Sequence, residues 1–570
     1  MKIIDFKNAS CKHCYKCIRS CSVKAIRVKN AQAEIMKEYC VLCGKCLEVC
    51  PQNAKTFVSD LEQVKHYISS GEKVVVSIAP SYLGIMDYKM PGQVVDGLMR
   101  LGFAAVRETA EGAALVTGEY ARLLEAGEMK NIITTCCPSV NDLIEKYYPS
   151  LVHFMAPVVS PMVAHGRLIK EIYGPDTKVV FLGPCIAKKE EAEEDERTEG
   201  AVDAVIHFGE LKEWMQEEGI VLSECESRPM ANPDPKINRL YPISRGVIQS
   251  VMVTDKPEKY RKLFVDGIEN CRELLDAMED GEIQNCFIEM NMCEGGCIKG
   301  PATSKMDFSR YRARFHIEDQ IEYAPAESEE EAKHVAMKKV FYSRKENDKL
   351  PTEAQIQEIL KATGKYNKNQ ELNCSACGYT SCREKAIAVF QGKAELEMCL
   401  PYNFEQAQSM SNLVLDETPN ANMVIRKDMS ITEFNRKAEE IFGISRTEAI
   451  GRYIFEFMDD TSYEEVFETH QSIHRRKVDM EPYGLTVLLS IVYIDSLDAE
   501  LVIMQDITNE EKELEHQYQL KIKTVEAAQM VIDKQMMVAQ EIAGLLGETT
   551  AATKATLNHL KRSILEGDNK

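Results

Sequence analysis

No run of 18 or more apolar residues interrupts this 570-residue chain, so the sequence offers no membrane-spanning helix. The opening stretch MKIIDFKNASC has no apolar core of the kind a secretory leader needs, and export is not expected. Positive charge is in deficit: 69 Lys and Arg face 90 Asp and Glu, a net charge of −21. Phosphate neutralisation needs the opposite balance, so nucleic acid is excluded as a partner. The excess favours a well-solvated surface and basic redox partners. No cysteine follows Cys399, so all 20 lie in the first 400 residues, mostly in short-spaced runs. In a chain this large without a leader, that crowding points to metal ligation in a reducing cytoplasm rather than to disulfides. The clusters such ligands hold are oxygen-sensitive, which points to an anaerobic cell.

With 44% hydrophobic residues and a soft scale of about 150 residues per domain, several cores are expected. The reading is a multidomain chain of α/β and α+β class. Residues 1–57 are cysteine-dense. Residues 72–325 alternate strand-like runs (KVVVSIAP, VVFLGPC) with helical stretches, as in an α/β domain. Residues 326–365 are charged and read as a helical connector or lid. Residues 366–402 hold a second compact cysteine group. Residues 411–508 form a small α+β unit, and 509–566 a long helix.

Cys11, Cys14, Cys17 and Cys21 follow C-x2-C-x2-C-x3-C, and Cys40, Cys43, Cys46 and Cys50 repeat it ahead of Pro51. This resembles the bacterial two-cluster ferredoxin, in which the fourth cysteine of each run serves the other cluster. The expected ligand sets are Cys11, Cys14, Cys17 and Cys50 for one 4Fe-4S cluster, and Cys40, Cys43, Cys46 and Cys21 for the second. Structural zinc is the competing reading, but zinc sites usually set their C-x2-C pairs further apart.

Three further segments occur in order: Thr134-Thr135-Cys136-Cys137-Pro138-Ser139, Gly183-Pro184-Cys185-Ile186-Ala187-Lys188-Lys189, and Glu289-Met290-Asn291-Met292-Cys293-Glu294-Gly295-Gly296-Cys297. They resemble the three signature motifs of the iron-only (FeFe) hydrogenases, over roughly residues 1–325 with the ferredoxin module included. The resemblance implies that Cys137, Cys185, Cys293 and Cys297 hold a 4Fe-4S cluster. Cys297 would also bridge to a diiron subcluster carrying CO, cyanide and a bridging dithiolate. It implies Lys188 as a charged donor to one cyanide, Ala79, Pro80 and Ser81 as the lining of the other, and Cys136 as the thiol that exchanges protons with the dithiolate. It also implies dedicated maturation proteins, and H2 and protons as substrates.

The departures from the family pattern carry equal weight. Gly183 and Asn291 stand where the family usually has Met, and Ser160-Pro161-Met162 replaces Ser-Pro-Gln. An approximate alignment puts Ala156, Tyr120 and Leu123 where the family has a serine and two glutamates that relay protons. A general acid without a partner in reach delivers protons slowly, so the chain resembles the divergent, sensory branch. Glu190 and Glu191 stand as a substitute path or as solvated surface charge.

Cys374, Cys377, Cys382 and Cys399 form C-x2-C-x4-C-x16-C and resemble the small 4Fe-4S domain of electron-transfer subunits, with zinc as the alternative. Four 4Fe-4S clusters are thus expected in all. Cys225, Cys271 and Cys286 read as buried structural thiols. Residues 411–508 resemble a PAS sensor through Asn435, Ala438, Phe442, Gly443 and Gly451; His470 and His474 read as surface residues rather than haem ligands. Leu514, Tyr518, Ile522, Val525, Ala528, Ile532, Met536, Ala539, Ile542 and Leu546 recur with the period of a coiled coil, which predicts a homodimer, with an amphipathic helix packing on its own domain as the alternative.

The expected function is a cytoplasmic hydrogen and redox sensor. It would bind or slowly oxidise H2, take a ferredoxin-type redox partner, and signal to a separate output protein, for which the C-terminal tract suggests a phosphatase. A slow hydrogenase regulated by its PAS tail is the alternative, and an electron relay without a diiron group a third.

Overall fold

The structure is a computed structural model that describes residues 3–6, 10–29, 32–252, 259–326, 330–458, 462–543 and 550–566. The chain divides into two compact units, Met1–Tyr402 and Asn403–Lys570.

In the first unit the cysteine-dense start is held by two small antiparallel pairs, Ile4–Phe6 with Lys55–Phe57 and Ile26–Lys29 with Gln32–Ile35. Each C-x2-C-x2-C run ends in a short helix, Lys16–Arg19 and Lys45–Glu48. The α/β part holds two parallel sheets. One is four-stranded, in the order Ala105–Glu108, Val74–Ile78, Lys178–Gly183, Ala204–His207. The other orders Arg261–Asp266, Cys286–Asn291 and Ile132–Ile133. Parallel strands are covered on both faces, which is why VVVSI and CFIEMN are buried throughout and read as apolar runs without alternation. The helices Ala110–Ala126 and Pro161–Tyr173 pack against each other.

The stretch 326–365 departs from the helical expectation. Its described helices are one 3-10 turn, Glu330–His334, and Glu353–Ala362. Residues 335–350 between them run without helix. Their backbone is tied instead to the α/β domain, Val159 N to Met337 O at 2.9 Å, Lys339 N to Pro157 O at 3.1 Å and Arg344 N to Glu145 O at 2.8 Å. Mid-segment lysines and arginines find buried carboxylates there, which a free amphipathic helix would not supply.

The second unit contains a five-stranded antiparallel sheet in the order Ile431–Phe434, Ala421–Arg426, Ala499–Asp506, Leu485–Ile494, Ile473–Met480. Asn435 caps the helix Arg436–Phe442 by accepting from Ala438 N at 3.1 Å and also accepts from Asn422 N at 2.8 Å, the local reason for the Asn–Ala–Phe–Gly spacing. Phe434, Phe442, Phe457 and Tyr483 pack edge to face or tilted in the core. His470 and His474 are exposed, and His470 stacks on Tyr493 at 4.1 Å. A helix then runs Thr508–Ala543. From residue 520 its half-buried positions are Ile522, Val525, Gln529, Ile532, Met536 and Ala539. That places Gln529 rather than Ala528 on the seam, because 3-4 alternation selects it; Leu546 lies outside the described residues. Among the described residues no helix is long and apolar enough to cross a membrane.

Candidate functional site

Four strand ends converge on one place. Ala79-Pro80-Ser81 follow Val74–Ile78, and Pro184-Cys185 follow Lys178–Gly183. From the second sheet, Cys136 and Cys137 follow Ile132–Ile133, and Cys293 follows Cys286–Asn291. Parallel sheets present their loops at the carboxyl ends of strands, so segments 160 residues apart share a site by topology. Gly295 and Gly296 take positive φ, and a Cβ at Gly296 would strike the Pro242 carbonyl. That turn returns the chain so that Cys297 N donates to Pro242 O at 2.7 Å. Gly183 has a local reason too: the Phe181 ring occupies the space its side chain would need.

Cys137, Cys185, Cys293 and Cys297 come together. Burial pushes each thiol up, and for Cys293 and Cys297 the neighbouring thiols add to it. Cys185 reaches about 11. Backbone amides of Met292, Val140 and Ser139 point at the Cys137 sulfur. Four clustered sulfurs, three of them pushed up by their neighbours and the fourth, Cys137, met by amides, fit a cationic iron core, which deprotonates coordinating thiols.

Beside them lies a cavity of about 100 Å³, lined by Ala79, Pro80, Ser81, Cys136, Lys188 and Cys297 with Met162, Phe181 and Val247 among its apolar neighbours. Ser81 is fully buried, and its hydroxyl has no hydrogen-bond partner among the described residues. An orphan donor and a nearly buried ammonium facing an apolar hole suit a small group with anionic acceptors at its ends.

Cys136 reaches this cavity too. Its thiol lies 3.2 Å from the Tyr120 hydroxyl, so the aligned position Tyr120 does meet the thiol. Burial pushes the Cys136 thiol up to about 12, against the pull of Tyr120 and Lys188. Burial raises Tyr120 as well. Ala156 stands nearby only through its carbonyl, which accepts from Thr135 Oγ1 at 3.1 Å.

Lys188 Nζ donates to Cys136 O at 3.3 Å and to Glu191 Oε2 at 2.7 Å. Burial alone would raise Glu191, but Lys188 and Lys339 hold it below the ordinary carboxylate range. Glu191 is therefore an internal counter-ion. Glu190 borders an outer polar cavity of about 230 Å³, where burial and Asp142 push it up to about 7. Sequence reasoning passed over Glu289, whose oxygens accept from Arg245 N at 2.8 Å, Ile248 N at 3.0 Å and Asn291 Nδ2 at 3.1 Å. Burial pushes it up to about 7, and its charge acts on Cys136. A glutamate inside a strand carries no sequence signal of burial.

Cys21 lies among Cys40, Cys43 and Cys46 and raises all three, while Lys55 stands near Cys17, Cys46 and Cys50. Cys43 is close enough to act on Cys293. The amides of Ala25 and Ala54 donate to the Cys21 and Cys50 sulfurs at 3.3 and 3.4 Å. Cys377 packs in one apolar cluster with Cys17 and Cys21, and a Cβ at Gly378 would press on Ile18. Cys11 is half-exposed beside Tyr15, and Cys14 and Cys374 are exposed; Cys382 is half-exposed and Cys399 buried. Lys365 Nζ lies 3.3 Å from the Cys399 sulfur. Cys225, Cys271 and Cys286 are buried.

Residues 72–301 match the model of the iron only hydrogenase large subunit, C-terminal domain. Residues 3–51 match a 4Fe-4S dicluster domain, 370–401 a putative Fe-S cluster domain and 410–485 the PAS fold. The chain thus carries a divergent FeFe-hydrogenase-type domain between an N-terminal dicluster module and a C-terminal PAS fold. It is 24% identical over 428 residues to Iron hydrogenase 1 of Clostridium pasteurianum, covering 56% of this chain and 74% of that one. It is 26% identical over 323 residues to the NADP-reducing hydrogenase subunit HndD of Solidesulfovibrio fructosivorans, covering 46% of this chain and 55% of that subunit. A solved FeFe-hydrogenase HydA1 variant from Chlamydomonas reinhardtii superposes with a TM-score of 0.42 at 18% identity, over 51% of this chain and all of that one. Iron–sulfur domains, a hydrogenase-type domain and a PAS fold thus stand on one chain.

Proposed function

We propose that this FeFe-hydrogenase-family protein is a hydrogen and redox sensor of an anaerobic cytoplasm. When bound, the diiron group supplies a place for H2 to bind and part into protons and electrons. Cys137, Cys185, Cys293 and Cys297 would hold the adjoining 4Fe-4S cluster. Lys188 and Ser81 would donate to the diiron group's anionic ligands, and the apolar cavity walls would exclude water. Cys136 holds the proton at its sulfur. The ferredoxin module, whose Cys43 lies near Cys293 and which packs on Cys377, would hold the clusters that carry electrons to a ferredoxin-type partner, and the PAS domain and its helix would pass the state to an output protein.

The observation that carries this reading is the end of the proton path. Cys136 meets a buried tyrosine, and both groups are weak acids with raised pKa values. A relay that begins with two such groups suits binding and slow exchange better than rapid turnover. The alternative, a slow ferredoxin-linked hydrogenase regulated by its PAS tail, draws on Glu289, a carboxyl near neutrality that acts on Cys136. Turnover with dye acceptors separates the two: low turnover with a hydrogen-dependent change in the C-terminal helix supports the sensor, and substantial turnover with no such change supports the enzyme.

A further inference from the structure

Lys339 lies outside the matched residues 72–301, yet it enters the site. The unstructured stretch that carries it is bound along the α/β domain by the backbone pairs at Met337 and Lys339, and by a bridge from Lys338 to Val158. The Lys339 side chain is buried. Its ammonium reaches Glu191 Oε1 at 3.3 Å and Asp195 Oδ2 at 2.8 Å. The other oxygen of Glu191 takes Lys188 Nζ and Ser160 Oγ, both at 2.7 Å. One buried carboxylate is therefore shared by two ammonium groups, and only Lys188 also faces the cavity.

We propose that Lys339 is a positioning residue for the diiron site, acting through Glu191 on Lys188; the inference rests on the diiron reading of that cavity. In a buried, low-dielectric pocket a carboxylate's charge must be answered locally. With Lys339 on one oxygen, part of the Glu191 charge is met from the far side, and Lys188 stays free to donate toward the cavity and the Cys136 carbonyl. Without Lys339, more of the charge falls on Lys188 and draws it toward Glu191, with Ser160 left on the same oxygen. The stretch around residue 339 thereby sets how strongly Lys188 withdraws electron density through a ligand of the iron. It is also the chain's direct covalent link from the site to the third cysteine group at Cys374. Displacing the stretch changes the iron's electronics, and by reciprocity a change at the site alters the hold on the stretch.

The test uses the full chain matured with the dedicated assembly enzymes and read by infrared spectroscopy. A weaker donor on cyanide leaves more density on iron and lowers the CO stretches. Lys339→Met is expected to shift the CO bands to lower frequency, Lys339→Arg to restore them, and Lys339→Met to add no shift in a Lys188→Met background. Bands unchanged in Lys339→Met, or a full further shift in the Lys188→Met background, would overturn the proposal. A second arm needs no diiron group: in a crystal structure of Lys339→Met carrying only 4Fe-4S clusters, Lys188 is expected to have left the Cys136 carbonyl, and an unmoved Lys188 overturns the proposal. Wild-type protein without CO and cyanide bands would instead defeat the diiron reading, and the crystal arm would still decide the role of Lys339.

Discussion

The Tyr120 hydroxyl stands 3.2 Å from the Cys136 thiol, and among the described residues no carboxylate shares that hydrogen bond. Two groups that both hold their protons tightly make a poor exit. Cys136→Ala is expected to slow hydrogen–deuterium exchange by about 10²–10⁴, the usual worth of a positioned general acid, with CO and cyanide bands retained. Tyr120→Phe is expected to change the rate less than about tenfold on the same scale. A loss from Tyr120→Phe as deep as that from Cys136→Ala would show that the phenol carries the proton.

At the third cysteine group, Lys365 is buried, and its ammonium donates to Thr363 O at 2.8 Å and to the Cys399 sulfur at 3.3 Å. A buried cation with no carboxylate partner among the described residues needs an anionic neighbour, which a thiolate-ligated cluster is. Four cubanes give about 16 iron per chain, and replacing Cys374 and Cys377 is expected to remove one cluster's share. Lys365→Met is expected to lower the reduced-to-oxidised ratio of that cluster about tenfold at fixed potential, or 59 mV for a one-electron couple. Potentiometric titration followed by electron paramagnetic resonance measures it. Unchanged iron with bound zinc, or an unchanged potential, would contradict the assignment.

Much of the site was legible because cysteine spacing is itself the chemistry: a cubane needs sulfurs at short, fixed intervals. The strands were legible where both faces are buried, as in Val74–Ile78. What escaped were single charged residues whose burial is decided by tertiary packing. Lys339 and Lys365 look like surface lysines, and Glu289 like one polar residue in a strand. The 335–350 stretch read as helix from its charge pattern, but its ion pairs to Glu191, Asp195, Asp142 and Glu145 hold it extended on the domain. No local propensity encodes those partners.

Glu500 lies on the same strand face as Val502 and Met504, fully buried, with neither carboxylate oxygen hydrogen-bonded among the described residues. Burial pushes it up to about 8, above the ~4.3 of an unfolded chain. Between those values the folded state keeps a proton that the unfolded state has released. This group's contribution is therefore fully present below about pH 4.3 and is lost as pH rises to about 8, at no more than about 1.4 kcal/mol per pH unit. Glu500→Gln is expected to flatten that slope and to raise the melting temperature of the PAS transition at pH 7 in calorimetry of the full chain. An identical slope in wild type and variant would contradict this.

The helix Thr508–Ala543 leaves Leu514, Tyr518, Met537 and Ile542 exposed, while Ile522, Val525, Gln529, Ile532, Met536 and Ala539 trace a 3-4 seam. A polar Gln529 within an apolar seam sets register at a cost in stability. A homodimer is expected, in which cysteines placed at 525 and 532 cross-link between copies and the pattern changes between oxidised and hydrogen-reduced protein. Gln529→Leu is expected to tighten the dimer and blunt that change. A monomer at micromolar concentration in sedimentation analysis would leave this segment as a docking tail.

A diiron group in the cavity beside Cys297 and Lys188 is expected to sense hydrogen more than it turns it over. The most direct measurement is infrared spectroscopy of the matured full chain with and without H2, paired with dye-linked turnover on the same sample. CO and cyanide bands are expected to shift under H2, to vanish in Cys297→Ala, and to accompany low turnover. A spectrum without those bands, or turnover equal to that of dedicated hydrogenases, would contradict that expectation.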